Sequence, residues 1–402
     1  MAIPSFSSEI ILTSSPDGPI AAHDHLTGAI VSQCSITGSP RNGLAFASGE
    51  LIAASHITLS ASGFIHLFNW WSSSVLQSIP VPEPVAPLVA TPHGSFLFAG
   101  GLSGSIYVLS LPSGDVFHSF HAHRHPVSCL TINADGSLLL SGGDDGMIAV
   151  FPIISLLDIS SVESNDESIQ ALYQFTAHSM SVTGIASGTG GCNSIFITCS
   201  LDCMIKFWSL ANGACLRTVN LECGLWSVIM DSTNAEAYVG GSDGRVYVVP
   251  VKMMRRRRFS GEEEEVVAWP AEESCGAVIA LAMSNGNRNV VSASEDGIIT
   301  IWDSGQVVRA VRPGRSSISG LLVAKGVSRA TGVRRDVAVG FNAVGSMSCV
   351  EGMCKEVKEV EEMEECLNIV VKDRRRAIDS LEAAINTYKK LLCLLLKEAK
   401  GG

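Results

Sequence analysis

The residue types from which hydrolytic sites are built fall together in one stretch, residues 175–210, FTAHSMSVTGIASGTGGCNSIFITCSLDCMIKFWSL. It offers a base (His178), a hydroxyl (Thr198) and a carboxylate (Asp202), with Trp208 close behind. The same types recur at His123, Ser141 and Asp145, and in part at Ser292, Asp296 and Trp302. A constellation that recurs at a fixed interval is repeated architecture, not an active site. His178 and Asp202 are therefore expected to be buried polar groups satisfied by each other and their neighbours. Elsewhere there is no nucleophile–base pair, phosphate loop or metal-ligand spacing, so neither an enzyme nor a cofactor is expected.

The elements that must hold these residues are short strands. Ile195-Phe196-Ile197 and Ile205-Lys206-Phe207-Trp208 are β-branched and aromatic runs separated by the turn 200–203, which is half of a four-stranded unit. A turn followed by a strand occurs seven times, at Asp17-Gly18, Ser62-Gly63, Ser103-Gly104, Asp145-Gly146, Asp202-Cys203, Asp243-Gly244 and Asp296-Gly297. The successive gaps of 45, 41, 42, 57, 41 and 53 residues match a four-stranded propeller blade, with two blades lengthened by insertions. The fold class is thus all-β, a seven-bladed propeller over 1–345 with insertion loops at 154–171 and 252–270. After the seventh turn, the apolar runs Ser317–Ala324 and Asp336–Phe341 are both candidates to close the ring against the N-terminal strands, which would remove an exposed sheet edge.

The unit resembles a WD40 repeat, whose marks are an early histidine and a late Ser/Thr, Asp and Trp. Carried over residue by residue, the resemblance implies a hydrogen-bond relay from Asp202 through His178 and Thr198 to Trp208. The fourth unit keeps His123, Ser141 and Asp145 but ends in Phe151, and the seventh keeps Ser292, Asp296 and Trp302. Units one, two, three and six carry His23, Phe68, Leu109 and Val249 in place of the tryptophan, so they are expected to rely on strand packing and not on the relay.

Across 402 residues the chain is 46% hydrophobic, 17% charged and contains 38 glycines, the composition of a globular protein rich in strands and turns. A net charge of −11 excludes the basic face of a general nucleic-acid binder. The twelve cysteines are scattered without a Cys-x-x-Cys pair, and the N-terminus lacks the marks of a signal peptide. They are expected to be reduced thiols of an intracellular protein. No apolar run is long enough to span a bilayer, so no membrane is expected. His118, His121, His123 and His125 crowd into FHSFHAHRHPV, but His123 stands where the relay histidine belongs and no Cys or carboxylate completes a metal-ligand spacing.

The second insertion carries Arg255, Arg256, Arg257 and Arg258 followed by Glu262–Glu265. Opposed charge blocks of this kind form solvated surface loops, and the arginines are also a candidate nuclear import signal. Direct RNA contact has no support outside this block. From 356 to 399 the chain changes character, with no glycine or proline. Val360, Met363, Leu367, Val370, Ala377, Leu381, Ala384, Tyr388, Leu391 and Leu395 form a heptad series, with Arg374 in the same frame. A C-terminal α-helix that exposes such a seam needs a partner, and a second copy of the chain in a coiled coil, giving a homodimer, is the expectation.

One family combines these features. The segments FPIISLLD (151–158), LYQFTAHSMSVTGI and GTGGCNSIFITCSLDCMIKFWSL, with an acidic loop and a C-terminal helix, resemble the WD40 subunit of the rixosome. The resemblance implies a non-catalytic scaffold in the nucleus (nucleolus and nucleoplasm) that takes part in large (60S) ribosomal subunit assembly and in removing an internal transcribed spacer from pre-rRNA. It implies partners too: a helical-repeat subunit, and a midasin-type AAA ATPase on the pre-60S particle. In plants it implies an influence on meristem, root and shoot development. The alternative from a different class is a WD40 substrate receptor or adaptor in a ubiquitin-ligase or chromatin complex.

Overall fold

In the computed structural model the described residues are 9–34, 38–47, 51–57, 62–69, 74–111, 113–157, 169–191, 194–251, 266–270, 276–312 and 317–324. They fall within a compact unit that runs Met1–Arg329. The segments 252–265 and 325–402 lie outside them, and with them Arg255–Arg258, the Asp336–Phe341 run and the whole heptad seam from Val360 to Leu395.

Each turn found in the sequence joins the second and third strands of a four-stranded antiparallel sheet. Blade one takes β1 (Ile10–Ser14), β2 (Ile20–Asp24) and β3 (Ile30–Cys34) from the N-terminus. Blade two is β4 (Leu44–Phe46), β5 (Leu51–Ile57), β6 (Gly63–Asn69) and β7 (Gln77–Val81), and blade three is β8 (Val85–Ala90), β9 (Phe96–Gly101), β10 (Ser105–Ser110) and β11 (Val116–His121). Blade four is β12 (Val127–Ile132), β13 (Leu138–Gly143), β14 (Met147–Pro152) and, after the short helix α1 (Ile153–Leu156), β15 (Tyr173–Thr176). Blade five is β16 (Val182–Ser187), β17 (Ile195–Ser200), β18 (Met204–Ser209) and β19 (Cys215–Asn220). Blade six is β20 (Leu225–Met230), β21 (Glu236–Gly241), β22 (Val246–Pro250) and β23 (Val267–Trp269). Blade seven is β24 (Val278–Ser284), β25 (Asn289–Ser294), β26 (Ile299–Asp303) and β27 (Gln306–Val311).

The ring closes through β28 (Gly320–Ala324), which pairs with β1 from Ile10↔Ala324 to Ser14↔Gly320 and so supplies the inner strand of blade one. Of the two candidate closing runs, it is the first that does this. The junction is tied further where Ser319 N–H donates to the Ser14 carbonyl at 2.8 Å and the Ser319 hydroxyl donates to the Ser39 carbonyl at 2.6 Å. Closure converts an edge strand at each end of the chain into paired backbone.

The two insertions are both connections between third and fourth strands. In the first, α1 occupies the start of what the sequence suggests is a polar loop, because Ile153 and Leu156 turn inward onto the blade three–four core while Ile154 stays 81% exposed. In the second, residues 267–269 are the outer strand of blade six and not loop, so the insertion is shorter than 252–270 suggests.

Core packing explains why the second strands, such as β1 and β13, read as continuous apolar runs. Successive residues point to opposite faces of a sheet, and both faces are covered by neighbouring blades. Leu138 and Leu140 pack toward blade five while Leu139 packs toward blade three. Likewise Ile10 and Leu12 face blade two, and Ile11 faces blade seven. The buried apolar side chains form clusters that each bridge one pair of adjacent blades, so cohesion resides between sheets.

Candidate functional site

Blade five holds its four polar residues in one chain of hydrogen bonds. Trp208 Nε1–H donates to Thr198 Oγ1 at 2.9 Å, Thr198 Oγ1 lies 2.8 Å from His178 Nε2, and His178 Nδ1 lies 3.0 Å from Asp202 Oδ2. A single assignment satisfies every atom: the Thr198 hydroxyl donates to Nε2, and Nδ1–H donates to the carboxylate. Asp202 also accepts from Ser179 N–H at 3.1 Å and Met204 N–H at 3.0 Å, so it fastens the turn before β18 to the connection before β16. Burial pushes the His178 imidazole below its ordinary pKa, and the Asp202 carboxylate beside it opposes that shift. Burial alone would raise Asp202, but the charge of His178 and the surrounding N–H donors hold it below the usual carboxylate range. The Thr198 hydroxyl is fully buried and already engaged twice, which leaves no path for a substrate to reach it.

Blade four repeats the first half of this chain, with His123 Nδ1 3.2 Å from Asp145 and Nε2 2.9 Å from Ser141. Burial again lowers the histidine, against the pull of Asp145. Phe151 fills the tryptophan position, buried between blades and edge-on to Phe120 at 4.9 Å. Blade seven keeps the other half, Trp302 Nε1–H to Ser292 Oγ at 2.8 Å. Its Asp296 does not join Ser292; it accepts from the Ser294 hydroxyl at 2.5 Å and Gly276 N–H at 3.3 Å. The histidine cluster before β12 is divided, since His123 serves the relay and His118 Nε2 lies 2.5 Å from the Leu156 carbonyl. Among the described residues no three His, Cys, Asp or Glu side chains converge to hold a metal ion.

In the remaining blades Phe68, Leu109 and Val249 pack in the apolar core as expected, and the structure corrects the expectation of plain strand packing in blade one. His23 of blade one stands opposite Ile11 as Trp208 stands opposite Phe196, and its Nε2 lies 3.1 Å from Thr13 Oγ1. A histidine therefore replaces the tryptophan and keeps the bond to the threonine. The sequence carried the signal, since Thr13 precedes Asp17 by the interval that separates Thr198 from Asp202. Blades three and six use tyrosine. Tyr107 O–H donates to Glu83 at 2.8 Å, and Glu83 also accepts from Ser103 N–H at 2.8 Å; Tyr247 O–H donates to Asp243 at 2.6 Å. Burial and the adjacent Glu83 push Tyr107 up to about 12, and burial with Asp243 pushes Tyr247 up as well.

A second polar layer, absent from the sequence reading, lines the axis. The inner strands β12, β16, β20 and β24 each slip register near their start, the mark of a bulge. Hydroxyls there tether each blade to the next: Ser128 to the Val182 carbonyl at 2.5 Å, Thr183 to Leu225 at 2.7 Å and Ser227 to Val278 at 3.1 Å. Blade two sends a turn, residues 40–43, into the same layer. Gly43 N–H donates to the Pro40 carbonyl at 3.1 Å, and Asn42 adopts the left-handed φ of 58°. A Cβ on Gly43 would come within 2.3 Å of Ser55 Oγ, so this position requires glycine. Asn42 Nδ2 donates to the Ser128 carbonyl at 3.0 Å, and Arg41 reaches the carbonyls of Thr183 and Trp226 on the far side of the axis.

Seven four-stranded antiparallel blades, with a His–Asp–hydroxyl–Trp relay complete in one and partial in others, define the class of the molecule: a WD40 β-propeller. The WD40 family pattern, described as "WD domain, G-beta repeat", matches residues 114–151, 169–209 and 269–303, which are the blades that retain relay residues. The chain is 31% identical to Protein ROOT INITIATION DEFECTIVE 3 of Arabidopsis thaliana over 73% of its length and 66% of that protein. It is 28% identical to pre-rRNA-processing protein crb3/ipi3 of Schizosaccharomyces pombe over 57% of its length and 51% of that protein. Its fold is similar to the crystal structure of the computationally designed Ika8 protein, with a TM-score of 0.55 at 21% identity over 79% of this chain and 92% of that one. The chain belongs to the family of WD40 proteins that contains ROOT INITIATION DEFECTIVE 3 and crb3/ipi3, of whose lengths it spans between about half and two thirds.

Proposed function

We propose that this protein is a non-catalytic WD40 scaffold subunit of a nuclear complex that assembles the large ribosomal subunit and processes its pre-rRNA. The observation that carries this reading is the similarity to a protein named for pre-rRNA processing, within a family match that runs through most of the propeller. The use of the polar constellations supports it, because all four relay groups of blade five, His123, Ser141 and Asp145 of blade four, and Ser292 and Trp302 of blade seven are engaged with one another inside the blades. What remains for function is the outer surface, which suits binding of other proteins.

Its partners on this reading are the helical-repeat subunit of the rixosome and the midasin-type AAA ATPase on the pre-60S particle, in the nucleolus and nucleoplasm. On this reading the C-terminal segment 356–399 serves to pair two copies, and Arg255–Arg258 act in import. In a plant, altered ribosome supply then connects the protein to meristem growth.

The test is affinity purification of the tagged full chain from nuclei. Recovery of the ATPase with precursors of the large subunit, and accumulation of spacer-containing pre-rRNA on depletion, is the expected result. Recovery of a ubiquitin-ligase scaffold without ribosomal precursors would overturn it. For the pairing of two copies, the solution mass of the full chain at micromolar concentration should be twice that of a monomer, while a chain ending at Cys349 should be monomeric.

A further inference from the structure

The outer strands of blades six and seven leave a groove between them on the side wall of the propeller. In β23 Val267 stands opposite Val248 and Trp269 opposite Val246, and Val246 packs with Trp302 of blade seven, so Val267 and Trp269 face blade seven. In β27 Val307 stands opposite Trp302 and therefore faces back toward blade six. Val267 and Val307 are 53% and 42% exposed, while Trp302 is buried. Between these walls runs a row of rings, with Tyr238 5.4 Å from Trp269 and Trp269 5.8 Å from Trp302, centroid to centroid. Tyr238 and Trp269 are each partly exposed.

The groove carries negative charge that no cation of the chain balances. Tyr238 O–H donates to the exposed Glu236 carboxylate at 2.7 Å. Burial and this bond push the Tyr238 phenol up, with a smaller contribution from Asp231, so the proton stays on the phenol and the charge on Glu236. Asp231 is engaged by the turn before β21, where it accepts from Thr233, Ala235 and Glu236 N–H groups. Among the described residues Glu236 forms no ion pair, with Arg288 of the turn before β25 or with any other cation. The arginines of the flanking outer strands are engaged elsewhere, Arg217 of β19 with the Pro250 carbonyl and Arg309 of β27 with the Thr27 carbonyl.

Aromatic faces attract a cation through their quadrupole, and a guanidinium also stacks flat on a ring while its N–H groups reach a carboxylate. Nucleic acid would instead bring phosphates against Glu236 and Asp231 in a chain of net charge −11. We propose that this groove docks a segment of a partner protein that lays one arginine over the Tyr238 and Trp269 rings, with its guanidinium at Glu236 and aliphatic neighbours on Val267 and Val307. The chemistry of that segment is set by the groove and holds whichever complex the scaffold serves.

The experiment uses the full-length protein labelled with fluorotryptophan and two blocked tripeptides, Val-Arg-Val and Val-citrulline-Val, titrated to millimolar concentration. Citrulline has the shape of arginine without its charge. The readout is the fluorine resonance of Trp269 among the six tryptophans, assigned by its loss in Trp269→Phe. The expected result is a saturable shift with the Arg peptide and about ten-fold weaker binding of the citrulline peptide, a preference lost in Glu236→Gln. Circular dichroism confirms that this surface variant is folded, and Tyr238→Leu, which removes one ring, is expected to weaken the Arg peptide as well. Equal binding of the two peptides, binding of neither, or a preference unchanged in folded Glu236→Gln would overturn the proposal. A shift of the Trp269 resonance by oligouridylate as large as that by the Arg peptide would overturn the choice of a protein partner.

Discussion

Blades five and two solve one packing problem in opposite ways. At the position between the second and third strands, blade five places Trp208 opposite Phe196 with Thr198 two residues along, and blade two places Phe68 opposite Ile52 with Ala54 two residues along. The polar pair and the apolar pair are each complete. Trp302 with Ser292 and His23 with Thr13 follow the first pattern; Leu109 with Ala99 and Val249 with Val239 follow the second. The lesson is that the ring donor is kept only where its hydroxyl acceptor is kept, while the hydroxyl can stay without it where another partner holds it, as His123 holds Ser141 in blade four. Removing one partner leaves the other desolvated and unpaired, whereas replacing both by apolar groups is nearly neutral.

The largest effect is expected where one carboxylate serves most groups. Asp202→Ala should destabilise the protein by about 2–4 kcal/mol, because it strands a buried histidine and frees the turn before β18. Asp243→Ala in blade six should cost roughly half as much, since it removes a bond from a less enclosed tyrosine. Urea unfolding of the two variants checks the order, and equal losses would mean that the His–Asp link has no special weight.

Next comes pH. His178, His123 and His23 all lie below their ordinary pKa, with burial as the leading cause. A base whose folded pKa is depressed binds its proton more readily when unfolded, so folding stability is full above the ordinary value of 6.5 and falls as pH drops below it. Asp202, itself held low, adds a further loss below the ordinary 3.8. Stability measured from pH 7.5 down to about pH 5 should fall, and more shallowly in a Thr13→Val, His23→Phe variant whose blade one has been converted to the apolar pattern.

The smallest effect concerns the turn that lacks glycine. Cys203 has φ of 68°, in the left-handed region that Gly104, Gly146, Gly244 and Gly297 occupy in the matching turns. Cys203→Gly should raise stability by about 0.5–1 kcal/mol, the relief of side-chain strain less the added entropy of the unfolded chain. A lower melting temperature for this variant would contradict it.

The number of blades and the place of each turn were legible because a glycine or aspartate turn recurs at a near-constant interval. Blade five was legible in atomic detail, since its residues match a known relay. The His23–Thr13 pair was written in the same intervals but disguised by residue type. The Tyr107–Glu83 pair was less accessible, because its carboxylate comes from a different connection than Asp202 does. Arg41 and the hydroxyl tethers were not legible at all. Their partners are main-chain carbonyls exposed by bulges, and a carbonyl has no residue type to recognise.

The claim that the polar residues are coupled packing units, and not reactive groups, is tested most directly in blade seven. Ser292→Ala and Trp302→Phe together convert its pair into the Ala54/Phe68 pair of blade two. In a double-mutant cycle read by urea unfolding, Ser292→Ala alone should cost about 1–3 kcal/mol because the Trp302 N–H loses its acceptor in a site that is 1% exposed. The double variant should be more stable than the sum of the single losses by about 1 kcal/mol or more. Losses that simply add, to within about 0.5 kcal/mol, would contradict the account.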